Sequence, residues 1–468
     1  MTAIVTSNFR VVNAENFKQD VADANTSVYV GIGKSDVWSL TTSDTTDTTP
    51  FAPVDALDSL GEAYQNLIGM KLIGSADISH VVPRYTWSNT ESYYAWDSDD
   101  GSIFDKKFYI VTSEFKVYKC IKAGGSTSTV QPTQTLTDPT AESDGYIWKY
   151  MYTISVADAE KFLTTSYMPV KTVSPRAGGQ ASDFLSDGTA EAALSEADYA
   201  QYLNQKASTQ SATAAGIERV DVTIGGTYSS TPTVSISGDG VGATATAVMS
   251  GSGSTQTVDS ITITNKGTNY TVADITFSSG DAGARAVIAP ELGHGTQPIK
   301  ELGAFFIGLN SQLSGTEGGD LTVGNDFRQV TLIRNPRLYG PGAIATANTL
   351  KGLRALDFTS GVTVTDYLVD ELIVGQTTGA QAYVVEIDAS TGYIYYHQNS
   401  KTGYKPFNNS ETITGQTSNT AGALEGTSAA LRDPEVHPGT GDIMFLENRN
   451  PINRTTTQIE DIKVIIEF

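Results

Sequence analysis

The sequence predicts a mainly β protein with a minor α component, spread over several domains rather than one core. Three observations carry this. The chain has 468 residues, more than a single hydrophobic core usually organises. Its 44 Gly, 22 Tyr and abundant Thr and Ser favour strands and turns over helices. Two segments also repeat internally at fixed offsets, each copy the size of a small β unit. The architecture expected is an α+β N-terminal part followed by a multi-domain β-sandwich or barrel arrangement with two inserted β-repeat modules.

In chain order, residues 1–175 form the expected N-terminal α+β domain. Residues 27–33 (SVYVGIG) read as a strand ending at glycines. Over 55–68, Leu57, Leu60, Ala63, Tyr64, Leu67 and Ile68 fall near helical spacing, with Asp55 as the N-cap. Residues 107–121 read as two strands turning near Ser113-Glu114. Residues 144–154 open at an Asp-Gly turn and continue as an aromatic strand. Ser155 is placed to cap a short helix holding Ala159, Phe162 and Leu163. Residues 176–215 are poor in large apolar groups and read as a linker, in which 195–206 has an amphipathic helical pattern through Tyr199, Tyr202 and Leu203.

Residues 216–290 are the first repeat module. One copy reads GGTYSSTPTVSISGDGVGATATA (225–247), the other KGTNYTVADITFSSGDAGARAVIA (266–289). Tyr228 recurs as Tyr270 and Gly238 as Gly280, both 42 residues on. Alternating strands precede each copy, and a tyrosine is expected to pack under a glycine turn. Residues 291–360 are a β segment of the main body, with strands at 302–309 (LGAFFIGL) and 327–334 (FRQVTLIR). Residues 361–428 are the second module, where ELIVGQT from Glu371 recurs as ETITGQT from Glu411, 40 residues on. An aromatic strand, GYIYY at 392–396, lies between the copies, and the pair reads as a second small barrel or sandwich. Residues 429–468 return to the main body with strands at 443–447 (IMFLE) and 459–468.

Charge and chemistry narrow the function. The net charge of −22 argues against nucleic acid and against an anionic membrane surface as partner. With Cys120 alone, no intrachain disulfide forms, and the chain is not shaped for an oxidising compartment. The N-terminus lacks a basic region followed by an apolar stretch, so no signal peptide is expected. No 18-residue apolar run is present to insert in a membrane. His80, His294, His397 and His437 show no metal-ligand spacing. Cys120, mid-strand, reads as a core thiol. WDSDDGS at 96–102 is the best metal-loop candidate, but it departs from calcium-loop spacing and reads as a solvated turn. No phosphate-binding glycine loop and no nucleophile elbow appears. A glycan-cleaving enzyme would need two facing carboxylates, and none are marked. The expectation is therefore no catalytic residue, no cofactor, no metal and no enzyme. Trp87, Tyr93, Tyr94 and Trp96 form an aromatic cluster that fits either a sugar or protein contact or a patch over the core.

Several strings in order resemble one family. They are AIVTSNFR (3–10), VGIGKSDVW (30–38), VPRYTW (82–87), DGYIWKY (144–150), FRQVTLIRNP (327–336) and GDIMFLENRNPI (441–452). Together they resemble the dimeric baseplate wedge subunit of T-even-like contractile-tailed bacteriophages. The likeness covers roughly 1–175, 296–345 and 432–468 and leaves out both repeat modules, which read as insertions. It implies a structural protein of the virion tail, assembled in the host cytoplasm. Such a subunit pairs with itself and binds other wedge subunits in a baseplate that rearranges on contraction. The motif residues Trp38, Arg84, Trp87, Trp148, Arg328, Glu447, Asn448 and Arg449 read as core and strand-end packing or as partner contacts. The run from Glu447 to Pro451 is the best contact candidate, because a proline there is expected to stop the strand ladder. The rival reading is a carbohydrate-binding receptor or fibre-type virion protein, its inserted modules touching the host surface.

Overall fold

A computed structural model describes residues 3–39, 47–171 and 215–468. Strands take up 39% and helices 12%, so the mainly β expectation holds. The helix expected at 195–206 lies outside the described residues. No helix among those described is long and apolar enough to cross a membrane. The chain divides into two compact units. The first comprises Met1–Glu15, Ser79–Gly308 and Ile465–Phe468; the second comprises Asn16–Ile78 and Leu309–Val464.

In the first unit, Tyr109–Val111, Lys116–Lys122, Ile147–Thr153 and Thr140–Ala141 form an antiparallel sheet in that spatial order. Both faces are covered, which is why these strands read as unbroken apolar and aromatic runs. One face carries Ile110, Tyr118, Cys120, Trp148 and Tyr150; the other carries Tyr109, Val111, Val117 and Met151. Lys119 and Lys149 fall on that second face, directly opposite each other, and both are buried. Glu301 answers with an ion pair to Lys119. Ser155 caps the helix Val156–Phe162, accepting from the Asp158 amide at 3.1 Å. The chain ends meet in this unit: Arg10 bonds Glu467 and the Phe468 carbonyl. Arg10 belongs to a helix, Ser7–Ala22, that the sequence pattern did not announce.

The first repeat module exchanges strands between its copies. Ile217–Ile224 of the first copy pairs with Gly283–Ile288 of the second. Thr257–Asn265 of the second pairs with Thr244–Ser250 of the first. The middle strands Val234–Gly238 and Ala273–Phe277 pair with each other. The tyrosine–glycine packing crosses in the same way. Tyr228 lies against Gly280, where any β-carbon would strike its ring, and Tyr270 lies against Gly240. Gly280 also has φ +79°, which favours glycine.

In the second unit, one antiparallel sheet has the order Thr349–Lys351, Leu67–Leu72, Val28–Gly33, Asp326–Arg334, Asp442–Asn453. Three expectations change. The helix runs only over Leu57–Gln65, capped by extended Ala56 rather than Asp55, and Leu67 and Ile68 belong to the next strand. The strand expected at 302–309 begins instead at Phe306 and runs to Ser314. Pro298 starts a helical turn ahead of it, and Gly303, at φ +66°, breaks that turn. Finally, Pro451 does not stop its strand. Pairing resumes at Ile452↔Phe327 after a bulge opposite Arg328, and an edge bulge is where a strand tolerates proline.

The second repeat module enters a seven-stranded antiparallel sheet. Its order is Ala421–Ala423, Thr412–Gly415, Leu372–Gly375, Gln381–Asp388, Tyr393–His397, Arg354–Asp357, Leu431–Arg432. The two copies meet at Leu372–Gly375 and Thr412–Gly415, with Val374 opposite Thr414. Each copy's glutamate reaches into the other's turn. Glu371 accepts from the amides of Thr417 (3.1 Å) and Ser418 (3.0 Å) and from Leu368 (2.7 Å). Glu411 accepts from Thr377 (3.2 Å), Thr378 (3.1 Å) and Asn408 (2.6 Å). Gly375 and Gly415 make room, since a β-carbon on either would sit 2.5 Å from the facing carboxylate.

Candidate partner-contact surface

Of the motif residues, Arg328 is fixed most firmly. It lies in a central strand, is 3% exposed, and donates to Asp47 through Nε (3.0 Å) and Nη2 (2.7 Å). It also reaches Asp326 at 2.9 Å and the Ser35 carbonyl. Burial works against the Asp47 charge, but Arg328 outweighs it and holds the carboxyl below its usual range. The Trp38 amide donates to Asp47 (3.1 Å), and its indole Nε1 donates to the Arg449 carbonyl (2.9 Å). Trp38 and Arg328 therefore spend their polar groups inside the unit. In the other unit, Arg84 donates to the Thr164 carbonyl at 2.9 Å and Trp87 to Ser128 Oγ at 3.1 Å, while Trp148 is fully buried.

Glu447 and Arg449 differ. Their side chains are 42% and 37% exposed and stand 3.8 Å apart. Asn448 between them accepts from Gln329 (2.8 Å) and donates to the Phe51 carbonyl (3.0 Å), which pins the backbone beneath the two charges.

A buried charge cluster in the second unit escaped the sequence reading. Asp36 takes Lys34 (3.0 Å), Lys401 (2.9 Å), His397 (3.3 Å) and the Asn399 amide (3.0 Å). Burial opposes its charge, yet His397, Lys34 and Lys401 together hold the carboxyl well below the usual range. Asp36 lies within the quoted string 30–38, but no spacing rule reaches partners more than 360 residues away.

The acidic turn at 97–102 is occupied by cations of the chain itself. Arg285 of the first module makes a bidentate pair with Asp97 (2.7 and 2.6 Å), Arg219 stands 3.6 Å away, and Lys106 pairs with Asp100. The Arg285 hydrogen bonds hold the Asp97 carboxyl below its ordinary value. Among the described residues no group of three His, Cys, Asp or Glu side chains is arranged to hold a metal ion. Cys120 is fully buried, and burial pushes its thiol up, as suits a packed side chain. Of the aromatic cluster, Tyr93 is buried, Trp87 and Trp96 are half-buried against the core, and Tyr94 is exposed.

Exposed apolar side chains gather elsewhere. Ile4, Val5, Phe9 and Val12 line the outer side of the N-terminal segment, and Phe51, Val54 and Leu57 stand out near the short helix of the second unit. Sequence periodicity could not single them out, because it assigns apolar residues to a core by default.

The model of the family Bacteriophage T4, Gp8 matches residues 3–123. Gp8 is a baseplate wedge protein, so the match supports a structural component of a phage baseplate, located in the virion tail. Both exposed apolar clusters fall within the matched residues, as do the strings at 3–10, 30–38 and 82–87. The strings at 144–150, 327–336 and 441–452 lie beyond it. A search of curated proteins finds no match.

Proposed function

We propose that this chain is a structural subunit of the tail baseplate wedge that pairs with itself and binds other wedge subunits. The match over 3–123 carries the reading. In it, the protein acts by presenting surfaces rather than by chemistry. Trp38, Arg84, Trp87 and Arg328 hold those surfaces from beneath, and Glu447, Asn448 and Arg449 with the two apolar clusters meet partners. The arginine-held attachment of the first module suits a rigid projection on a body that moves when the tail contracts.

The receptor reading requires an exposed aromatic groove. Three of the four clustered aromatics pack inward, which favours the wedge reading. Light scattering of the full chain at micromolar concentration tests pairing, and co-sedimentation with the other wedge subunits tests assembly. The expected results are a dimer and a joint complex. A particle that stays monomeric, alone and with wedge subunits present, overturns the proposal.

A further inference from the structure

The strand Asp442–Asn453 is the outer strand of its sheet, and among the described residues no strand pairs with its far side. It is 12 residues long and none of them is buried. Its neighbour Asp326–Arg334 is buried continuously from Phe327 to Ile333. The edge strand nevertheless carries Ile443, Met444, Phe445 and Leu446 in a row, with Met444 43% exposed. A long edge with apolar side chains and unpaired backbone groups is a template for another strand, and proteins that stay monomeric blunt such edges. Here the ladder bulges at Met444 and again, with the proline, over 449–451, and only Phe445 to Asn448 stay in unbroken register between the two bulges.

The charges identify the occupant. Glu447 and Arg449 flank Asn448 with opposite signs. When two copies of this strand run antiparallel about a two-fold axis at Asn448, each Glu447 faces Arg449 of the second copy. A shift of one residue sets the charges against Asn448 and Leu446, and a shift of two sets them against Phe445 or Pro451 and against themselves. Cross-strand pairs of opposite charge stabilise a ladder and like pairs weaken it, so one register is selected. We propose that Asp442–Asn453 pairs antiparallel with its own copy about Asn448, joining the two five-stranded sheets into one. This rests on the self-pairing reading above and names its surface.

The test uses the full chain with E447R, R449E, the double variant, and an equimolar mixture of the two single variants. Dimer dissociation is measured by sedimentation and native mass spectrometry. Each single variant sets like charges opposite each other twice, so each homodimer is expected to weaken roughly tenfold. The double variant restores the wild-type affinity. The mixture forms a heterodimer of wild-type strength, because its two strands carry opposite signs throughout. Overall charge does not mimic this. With −22 per chain, E447R reduces mutual repulsion and R449E increases it, so a global effect would move the two variants in opposite directions. Both side chains are exposed, and unchanged thermal unfolding verifies folding. A dimer indifferent to both substitutions, or a mixture that forms no heterodimer, overturns the strand pairing and leaves the edge to another protein. A wild-type chain that never dimerises overturns the self-pairing reading itself.

Discussion

Replacing Glu371 or Glu411 by glutamine should loosen the second repeat module by equal amounts, and in a crossed pattern. Each carboxylate accepts three backbone amides, and each also takes a hydroxyl of the turn it caps, Ser418 Oγ at 2.9 Å for Glu371 and Thr378 Oγ1 at 2.9 Å for Glu411. Hydrogen bonds to a charged group contribute roughly twice what neutral ones do, near 2 against 1 kcal/mol. Glutamine keeps one acceptor oxygen and turns its NH2 toward donors. Losing the charge assistance on the retained bonds and satisfaction of one amide comes to about 3 kcal/mol. The readout is native-state hydrogen exchange, which reports local opening. Glu371→Gln should speed exchange on the order of 100-fold at Thr417 and Ser418, in the other copy, while Thr377 and Thr378 change little. Glu411→Gln should do the reverse. If one substitution costs about 3 kcal/mol and the other under 1 kcal/mol, the two-fold equivalence argued from the geometry is wrong. Faster exchange in the substituted copy's own turn would show that the caps do not cross.

Asp36→Ala strands Lys34 and Lys401 as buried cations without their carboxylate, and should cost about 3–5 kcal/mol; urea unfolding followed by circular dichroism measures it, and a loss below about 1 kcal/mol would contradict the cluster's role. Burial pushes the Lys149 ammonium down to about 8, against the pull of Glu301 and with repulsion from Lys119. Between pH 8 and 10 the folded chain has then lost a proton that the unfolded chain keeps, so stability should rise with pH there by up to about 3 kcal/mol. Lys149→Met should flatten that rise and stabilise the protein at pH 7, as thermal unfolding across the pH series will show. Deleting 216–289 should leave a soluble, self-pairing chain, because the Ala215 amide already bonds the Pro290 carbonyl at 3.2 Å and the cut ends meet; loss of soluble dimer counts against it.

What the sequence made legible was local. The strand before Ser155, the Ser155 cap and the hairpin at Ser113-Glu114 each depend on a few adjacent residues. The repeats were legible because similarity at a fixed offset needs no geometry. The helix Ser7–Ala22 was hidden because exposed Phe9 and Val12 interleave with buried Val11, Ala14, Phe17 and Val21, which erases the polar face that marks an amphipathic helix. The pattern over 55–68 runs past the helix end at Gln65 because Leu67 and Ile68 fit a helical face as well as a buried strand. The sequence names the motif residues together and gives no means of dividing them. Arg328 and Trp38 are tied to Asp47, whereas Glu447 and Arg449, a strand away, hold only each other and stay exposed. That distinction is a matter of which neighbours the fold brings to each side chain, and composition holds no record of it.

The two repeat modules share no sequence and sit in different units, yet they solve the same problem in the same way. A single copy of either is too small to bury its own turn. In the first, Tyr228 and Tyr270 each fill the space beneath a glycine of the other copy. In the second, Glu371 and Glu411 each saturate the amides of the other copy's turn. In the first module the strand pairing enforces the exchange, since the opening strand of one copy pairs only with the closing strand of the other. A half-module would leave a glycine turn without its tyrosine, or buried amides without an acceptor, at about 1–3 kcal/mol for each group left unpaired. The two copies of each module thus stabilise each other.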